Sequence, residues 1–180
     1  MRPEQESAFA EYVAARRDHV RRTAFLLCGD WHRADDLTQI AFVKLYGAWE
    51  RVRDRAALDA YVRSCLVRAV VDESRRPWRR ERFVEVLPEP DPGGTGSEPD
   101  LAEMVADRDL LRVALQEVPP GQRTVLVLRY YEGMDVRQVA EALRCSEGTV
   151  KSQTARGLAA LRVAVTASRA DDQVGQGGDR

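Results

Sequence analysis

Residues that build metal sites, disulfide frameworks and acid–base catalytic sites are scarce in this sequence. Its 180 residues include three cysteines and two histidines, and Cys28, Cys65 and Cys145 are odd in number and far apart. This pattern predicts neither a disulfide framework nor a zinc site, and we expect no metal and no cofactor. His19 and His32 each lack a paired carboxylate constellation, so an enzyme is the least favoured class.

Long apolar runs are also missing. No stretch approaches the roughly 18 uncharged apolar residues that a membrane-spanning helix needs. The first residues are not followed by the apolar segment of a secretory signal. We therefore expect a soluble cytoplasmic protein without membrane insertion. Hydrophobic residues make up 44% and charged residues 32% of the chain, which is enough apolar material for a core and disfavours disorder of the whole chain.

The sequence has almost no net charge, and a formal value of −1 at first disfavours a nucleic-acid partner. The charges are unevenly distributed, however. Residues 63–82 carry seven basic and three acidic side chains, 84–109 carry one and eight, and 144–169 carry five and one. A phosphate backbone responds to local potential, which is screened over about 10 Å. The two basic segments therefore remain candidates for nucleic-acid binding.

The acidic segment between them marks a domain boundary. Proline, glycine and acidic residues fill it, and its few apolar residues show no periodicity. Such a segment cannot bury enough surface to offset the entropy lost on ordering. We predict a flexible acidic linker at 84–100, small domains at 5–83 and 101–168, and a disordered tail at 169–180.

Apolar residues recur at helical spacing on both sides of the linker, which predicts an all-α fold of two small helical domains. In the first domain we expect a helix ending near Cys28, a second from an N-cap at Asp30 to about Trp49, and a third from about Leu58 to Ser74. The second helix is apolar around much of its circumference, as is typical of a central bundle helix. The predicted core residues are Phe9, Tyr12, Val13, Val20, Ala24, Leu27, Leu37, Ile40, Ala41, Phe42, Val43, Leu45, Tyr46, Ala48, Leu58, Tyr61, Val62, Cys65, Leu66 and Ala69.

The second domain contains a helix-turn-helix pattern. We expect helices at Leu101–Glu117, Gln122–Tyr131, from an Asp135 cap through Leu143, and from a Ser146 cap to about Val165. The last two helices are joined by a short turn, and the second of them begins with Ser-Glu-Gly-Thr-Val-Lys-Ser. This pattern is typical of a DNA-binding helix pair.

The N-terminal half of the second helix in such a pair enters the major groove. Thr149 and Ser152 offer hydroxyls to phosphates or base edges, and Lys151 and Arg156 offer positive charge, with arginine able to bind guanine through two hydrogen bonds. Val150, Leu158 and Leu161 are expected to face the core. The alternative is an ordinary helical hairpin with a solvated polar face.

The basic segment of the first domain is a second clue. Arg68, Arg75 and Arg79 are spaced to share one helical face with Trp78 among them, although Pro77 should end or kink the helix. Positive charge beside an aromatic ring suits a nucleic-acid strand. A solvated arginine face is the alternative.

Two motifs resemble the extracytoplasmic-function (group 4) sigma factors of the sigma-70 family. Residues 33–42 (RADDLTQIAF) are similar to the family's region 2 helix. Residues 119–130 (PPGQRTVLVLRY), together with 148–152 (GTVKS), are similar to its region 4. The two motifs occur in the family's order, and the sequence around 63–82 and 149–153 is most similar to the actinobacterial SigE-like branch. The resemblance implies a protein that binds RNA polymerase core and directs promoter-specific transcription initiation, without being an enzyme.

The resemblance also implies roles for individual residues. Region 2 would dock on the clamp of the largest polymerase subunit, and region 4 on the flap of the β subunit. Candidate polymerase contacts are Asp35, Asp36 and Gln39. Candidate −35 contacts are Ser146, Thr149, Lys151, Ser152 and Arg156. Candidate contacts to the melted −10 element are Arg53, Asp54, Arg55, Tyr61, Arg68, Arg75 and Arg76. The acidic linker would approach the RNA exit path. The free protein would be a monomer, or 1:1 with a partner, and an anti-sigma factor is a candidate partner.

Four residues depart from the family pattern. Arg68 stands where many members have asparagine, and Ile40 stands where an acidic residue is common. Gln153 stands where arginine is frequent, and Thr154 where an apolar residue is usual. A promoter sequence is therefore not carried over from the family. The main alternative function is a stand-alone helix-turn-helix regulator, which would need a dimer face to read two half-sites. A helical adaptor without a nucleic-acid role would leave both basic segments unexplained.

Overall fold

The computed structural model describes residues 3–52, 54–74 and 108–175, and the regular elements in these ranges are all helices. The chain divides into two compact units, the first containing residues 1–84 and the second most of the chain from residue 85 onward. The predicted all-α class with two helical domains is thereby confirmed. The linker predicted at 84–100 lies outside the described residues.

Within residues 3–52 and 54–74, the first unit contains three long helices. They are α1 (Pro3–Cys28), α2 (Trp31–Ala48) and α3 (Arg55–Ser74), and a 3-10 helix (Trp49–Arg51) follows α2. Gly29, with a φ of 76°, makes the left-handed turn that ends α1. The Asp30 carboxylate accepts a hydrogen bond from the Arg33 backbone N–H at 2.7 Å, as expected of the predicted N-cap. Helix α3 starts about three residues earlier than predicted, so Arg55 belongs to its first turn.

Helix α2 lies at the centre of the first unit, because it packs against both α1 and α3. Burial of small alanines beside leucines lets the helices approach closely and removes apolar surface from water. The buried apolar residues are Val20, Ala24, Leu27, Ala34, Leu37, Ala41, Phe42, Leu45, Ala48, Leu58, Val62, Cys65, Leu66 and Val67.

The prediction that α2 is buried around much of its circumference is wrong. Ile40, Val43 and Tyr46 are 43%, 64% and 46% exposed. Ile40 and Val43 lie on the side of α2 opposite its buried leucines and alanines, which face α1 and α3. The Tyr46 ring packs edge-on against Phe9 of α1, with ring centroids 5.1 Å apart. An apolar side of α2 is therefore left open in the first unit.

The N-terminal half of α1 is tied to α3 by polar contacts. The Tyr12 hydroxyl donates to Asp59 Oδ1 at 2.7 Å, and Arg16 Nη2 lies 2.6 Å from Asp59 Oδ2. Burial raises the pKa of Tyr12 well above its usual value, and the bond to Asp59 raises it further. Nearby, the Phe9 ring packs edge-on against Trp49, with ring centroids 5.1 Å apart. These contacts fix the half of α1 that has few buried residues.

Within residues 108–175, the second unit contains four α-helices. They are α4 (Arg108–Glu117), α5 (Pro120–Leu126), α6 (Val136–Leu143) and α7 (Glu147–Gly175), with a π-helical turn (Val127–Tyr131) after α5. The predicted start of the first helix, Leu101, lies outside the described residues. Helix α5 begins two residues before the predicted start, with Pro120 in its first turn, where the missing N–H costs nothing.

Helix α7 is longer than predicted, since it continues from Val165 to Gly175. Residues 169–175 of the predicted disordered tail are therefore helical, whereas 176–180 lie outside the described residues. Leu161, Ala164 and Val165 are buried, and α7 packs against both α4 and α5.

Side-chain caps define the helix-turn-helix. The Gln138 backbone N–H donates to Asp135 Oδ1 at 2.8 Å, and the Asp135 N–H donates to Gln138 Oε1 at 2.9 Å, which makes a reciprocal capping box. Arg144 adopts a φ of 55° in the turn. Ser146 Oγ accepts from the Thr149 N–H at 3.0 Å and so caps α7. Both predicted caps, Asp135 and Ser146, are confirmed.

Candidate nucleic-acid interface

The five predicted −35 residues lie together at the N-terminal end of α7. Ser146, Thr149 and Lys151 are exposed, while Ser152 and Arg156 are half-buried. Thr149, Ser152 and Arg156 are spaced i, i+3 and i+7 and share one helical face. The other side of the same turns is anchored, because Val150 is fully buried. The helix thus presents a polar and cationic surface from a fixed position.

Hydrogen bonds within the helix orient its hydroxyl groups. Ser146 Oγ lies 2.9 Å from Thr149 Oγ1, and Ser152 Oγ donates to the Thr149 carbonyl at 3.0 Å. Thr149 Oγ1 and Ser152 Oγ each keep at least one lone pair that can accept a further hydrogen bond. Positive charge in this surface comes from Lys151 and Arg156. Hydroxyls beside cations at the start of a helix suit a phosphate backbone or the edge of a base.

Two of the predicted −10 residues share a face of α3. Tyr61 and Arg68 are two helical turns apart, with Arg68 exposed and Tyr61 half-buried. The Tyr61 hydroxyl donates to the Lys44 carbonyl at 3.5 Å. Loss of solvent raises the pKa of Tyr61, whereas the positive charges of Arg51 and Arg68 lower it, so both cations lie within electrostatic reach of the ring. An aromatic ring flanked by arginines is a suitable surface for an unpaired strand.

Of the other predicted −10 residues, the structure describes two, Asp54 and Arg55. The Asp54 carbonyl accepts from the Leu58 N–H at 2.9 Å, so Asp54 directly precedes α3. Arg55 forms the first residue of that helix. Arg53, Arg75 and Arg76 lie outside the described residues.

A second surface combines polar and apolar residues on the open side of α2. Asp36, Gln39, Ile40 and Val43 are all exposed and follow the i, i+3, i+4, i+7 spacing of one helical face. We call these four residues the docking face. Two of them, Asp36 and Gln39, are predicted polymerase contacts. The apolar periodicity assigned Ile40 and Val43 to the core, although Ile40 was also singled out as a departure from the family's acidic residue.

The third predicted polymerase contact, Asp35, faces α1 instead. Its carboxylate accepts two hydrogen bonds from Arg21, from Nε at 2.5 Å and from Nη2 at 3.0 Å. The Arg21 guanidinium also stacks over Trp31, 4.3 Å from the ring centroid. The hydrogen bond to Arg21 lowers the pKa of Asp35. Asp35 therefore joins α1 to α2 and is separate from the docking face.

The part of the chain that the structure describes contains no group of three or more histidine, cysteine, aspartate and glutamate side chains suited to a metal ion. Cys28, Cys65 and Cys145 all lie within the described residues and are not joined in disulfide bonds. Within residues 3–52, 54–74 and 108–175, no helix combines the length and the apolar character required to cross a bilayer.

Comparison with known proteins identifies both units. Residues 12–80 match the family description "Sigma-70 region 2", and residues 108–161 match "Sigma-70, region 4". An RNA polymerase sigma-E factor from Streptomyces avermitilis is 41% identical over 157 residues, which cover 86% of this chain and 83% of that relative. The chain belongs to the extracytoplasmic-function sigma factors of the sigma-70 family.

Two further comparisons agree with this sigma-factor assignment. The RNA polymerase sigma-E factor of Streptomyces coelicolor is 39% identical over 163 residues, covering 91% of this chain and 89% of the relative. The solved structure of the sigma factor RpoE from Bartonella quintana, in complex with the anti-sigma factor NepR, shares the fold with a TM-score of 0.63 at 21% identity. That match covers 88% of this chain and 97% of the other.

Membership in the family confirms the main functional prediction over the stand-alone regulator. A sigma factor binds RNA polymerase core and promoter DNA and directs transcription initiation, and it is not an enzyme. The surfaces on α2, α3 and α7 are therefore expected to bind macromolecules rather than to carry out catalysis.

Proposed function

We propose that the two units of this sigma factor divide promoter reading between them, with α7 binding the −35 duplex and α3 holding the melted −10 element. The observation that carries this proposal is the N-terminal end of α7, where hydroxyls and cations are exposed opposite the buried Val150. Ser146, Thr149, Lys151, Ser152 and Arg156 would make the −35 contacts. Tyr61 and Arg68 would form the centre of the −10 surface, extended by Arg53, Asp54, Arg55, Arg75 and Arg76.

The docking face is our proposed contact with the clamp of the largest polymerase subunit. Exposed apolar residues bordered by polar ones are typical of a partner surface. Asp36 and Gln39 would supply the polar contacts, and Ile40 and Val43 would lose their exposed surface on binding. Asp35 would not contact polymerase, because its carboxylate is paired with Arg21 and holds α2 against α1. Region 4 would sit on the β flap.

The remaining assignments follow from this division. The functional units would span 5–83 and 101–168, separated by the acidic linker at 84–100, which would approach the RNA exit path. The protein would act in the cytoplasm, where RNA polymerase works, and would be a monomer or form a 1:1 complex with a partner. An anti-sigma factor is a proposed partner, since the Bartonella quintana relative is bound to one.

Core-dependent run-off transcription on genomic fragments tests the proposed function. We expect defined transcripts only when RNA polymerase core and this protein are both present. The free protein should bind duplex DNA weakly. Tight duplex binding by the free protein, without promoter-specific transcripts in the presence of core, would instead favour the stand-alone regulator.

Replacing Asp35 and Asp36 in separate variants should distinguish their roles. Asp35→Asn removes the ion pair with Arg21 and should cause a small decrease in Tm without changing the affinity for core, because exposed ion pairs contribute little. Asp36→Asn should weaken core binding without changing Tm. Thermal melts and a fluorescence-based core titration measure both quantities. Equal effects of the two substitutions on core affinity would contradict the distinction.

The effect of Asp35→Asn on Tm should also depend on pH. Arg21 lowers the pKa of Asp35 in the folded protein, so the ion pair contributes fully above the unfolded carboxyl pKa of about 3.9. Its contribution is lost as the pH falls through the lower, folded pKa. The difference in Tm between the wild type and Asp35→Asn should be constant near neutral pH and shrink in this acidic range.

A further inference from the structure

Gly157 lies at an unusually close approach between two helices of the second unit. It is buried and follows Arg156 directly in α7. A Cβ atom at this position would lie 3.1 Å from both Cγ and Cδ1 of Leu126 and 3.3 Å from Cβ of Gln122, both in α5. Carbon atoms in contact prefer separations of about 3.5–4.0 Å. Helix α7 therefore lies nearer to α5 than an alanine at 157 would permit without a shift.

The neighbours of Gly157 have little freedom to move aside. Leu126 is 4% exposed, and the residues on either side of it, Val125 and Val127, are also buried. The contact with Gln122 is made through its Cβ, which is fixed directly to the backbone. Because a packed interior has few voids, an added methyl group displaces one helix relative to the other.

Other helical glycines in the described residues do not share this constraint. A Cβ at Gly47 in α2 would meet no atom within 4 Å, and one at Gly148 would meet only Ser146 Oγ at 3.7 Å, an ordinary contact. Glycine is less favourable than alanine inside a helix. The close approach to α5 gives a physical reason for glycine at 157, and no such reason exists at 47.

We propose that Gly157 is a positioning residue for −35 recognition, because its missing side chain sets the distance between α7 and α5. This inference rests on the proposed assignment of −35 reading to α7. Thr149 lies eight residues before Gly157, about 12 Å along the helix. A shift at Gly157 therefore changes the position and angle of the whole recognition surface. Hydrogen bonds to base edges weaken steeply when they are misaligned.

Transcription by the holoenzyme from a promoter library tests the proposal. The library has a randomised −35 element above one constant −10 element, and transcript sequencing gives the base preference at each −35 position. Gly157→Ala should reduce the discrimination between preferred and disfavoured bases about tenfold at one or more positions. Core affinity, measured on the same preparations, should stay near the wild-type value. Tm should decrease by no more than a few degrees, because the higher helix propensity of alanine offsets part of the cost of overpacking.

A compensating substitution in α5 distinguishes an effect on the position of α7 from a general loss of stability. Leu126→Val in the Gly157→Ala background removes the Cδ1 atom, one of the two Leu126 atoms that the added Cβ would meet at 3.1 Å. It should therefore shift the base preference back toward that of the wild type. Gly47→Ala is the matched control, since it makes the same substitution in a helix without a close neighbour and should leave the preference unchanged. An unchanged preference in Gly157→Ala would overturn the proposal. A uniform loss at all −35 sequences with a lower Tm would overturn it as well. If the wild type itself has no −35 preference, the assignment of α7 is wrong, and that result is visible without any variant.

Discussion

Replacing Lys151 and Arg156 together with alanine is expected to reduce −35-dependent initiation at least about 30-fold. Each lost contact to a base or phosphate costs about 1–3 kcal/mol, so two contacts cost at least about 2 kcal/mol. Lys151 is exposed, and Arg156 shares a face with Thr149 and Ser152. The affinity of the double variant for RNA polymerase core should be unchanged. Run-off transcription and core titration measure the two properties separately.

The salt dependence of promoter binding gives a second readout for the same double variant. Each phosphate contact contributes a slope of about −0.9 to the plot of log K against log salt for duplex DNA. If Lys151 and Arg156 bind phosphates, the slope should become shallower by up to about two such increments. If they bind base edges, discrimination between −35 sequences should fall more than the slope does.

The matched control removes two other arginines from the same helix. Arg162 and Arg169 are exposed in α7 but lie beyond the proposed recognition surface. Arg162→Ala combined with Arg169→Ala changes the net charge by the same amount, so it accounts for any general electrostatic effect. This control should retain most −35-dependent initiation. Equal losses in both double variants, or a loss of core affinity in the first, would contradict the proposed division of roles.

Val43→Asp is expected to weaken binding to RNA polymerase core at least about 30-fold, which corresponds to roughly 2 kcal/mol. Val43 is 64% exposed in the free protein, so a carboxylate there remains hydrated and should change Tm little. In the complex, the same carboxylate would be buried without a partner, which is costly. Titration of labelled core measures the affinity, and a thermal melt checks the fold.

Val43→Thr is the conservative counterpart of this substitution. Threonine has nearly the same shape as valine and introduces no charge, so the affinity for core should fall much less than with Val43→Asp. Ile40→Ser tests the second apolar residue of the docking face and should give an intermediate loss. Core affinity that is unaffected by Val43→Asp would show that polymerase does not cover the docking face.

Local chemistry made the helices and their caps predictable from the sequence. Asp30, Asp135 and Ser146 were identified as N-caps, because their short side chains can accept hydrogen bonds from the first turn of the helix that follows. The helix-turn-helix followed from the close succession of two such helices. These features depend on residues that are near one another in the sequence, which is why pattern alone was sufficient.

The exposed apolar side of α2, which we propose as the polymerase contact, was not predictable in the same way. Ile40 and Val43 look like core residues in the sequence, since apolar spacing is the same whether the covering surface belongs to the same chain or to another. Asp35 and Asp36 are adjacent in one motif, and the sequence offers no reason to assign them different roles. Their roles differ because Arg21, fourteen residues earlier, pairs with Asp35 and leaves Asp36 exposed.

Contacts between distant segments account for the remaining differences. Gly157 has no local signature, because its constraint comes from Leu126 and Gln122 on another helix. The extension of α7 to Gly175 was also missed, since the apolar pattern ends near Val165 while the helix continues through polar residues. A polar sequence can remain helical when it propagates from a turn that is already packed.

The arrangement of the first unit has a consequence for the order of events during synthesis. The buried residues of α1, α2 and α3 run from Val20 to Val67, and all of them precede the segment that joins the two units. Domains generally fold as units while the chain emerges from the ribosome, and pairs of neighbouring helices fold fast. The docking face can therefore be complete on the nascent chain before the ribosome has made α7, so that the proposed polymerase contact forms earlier than the proposed −35 recognition surface.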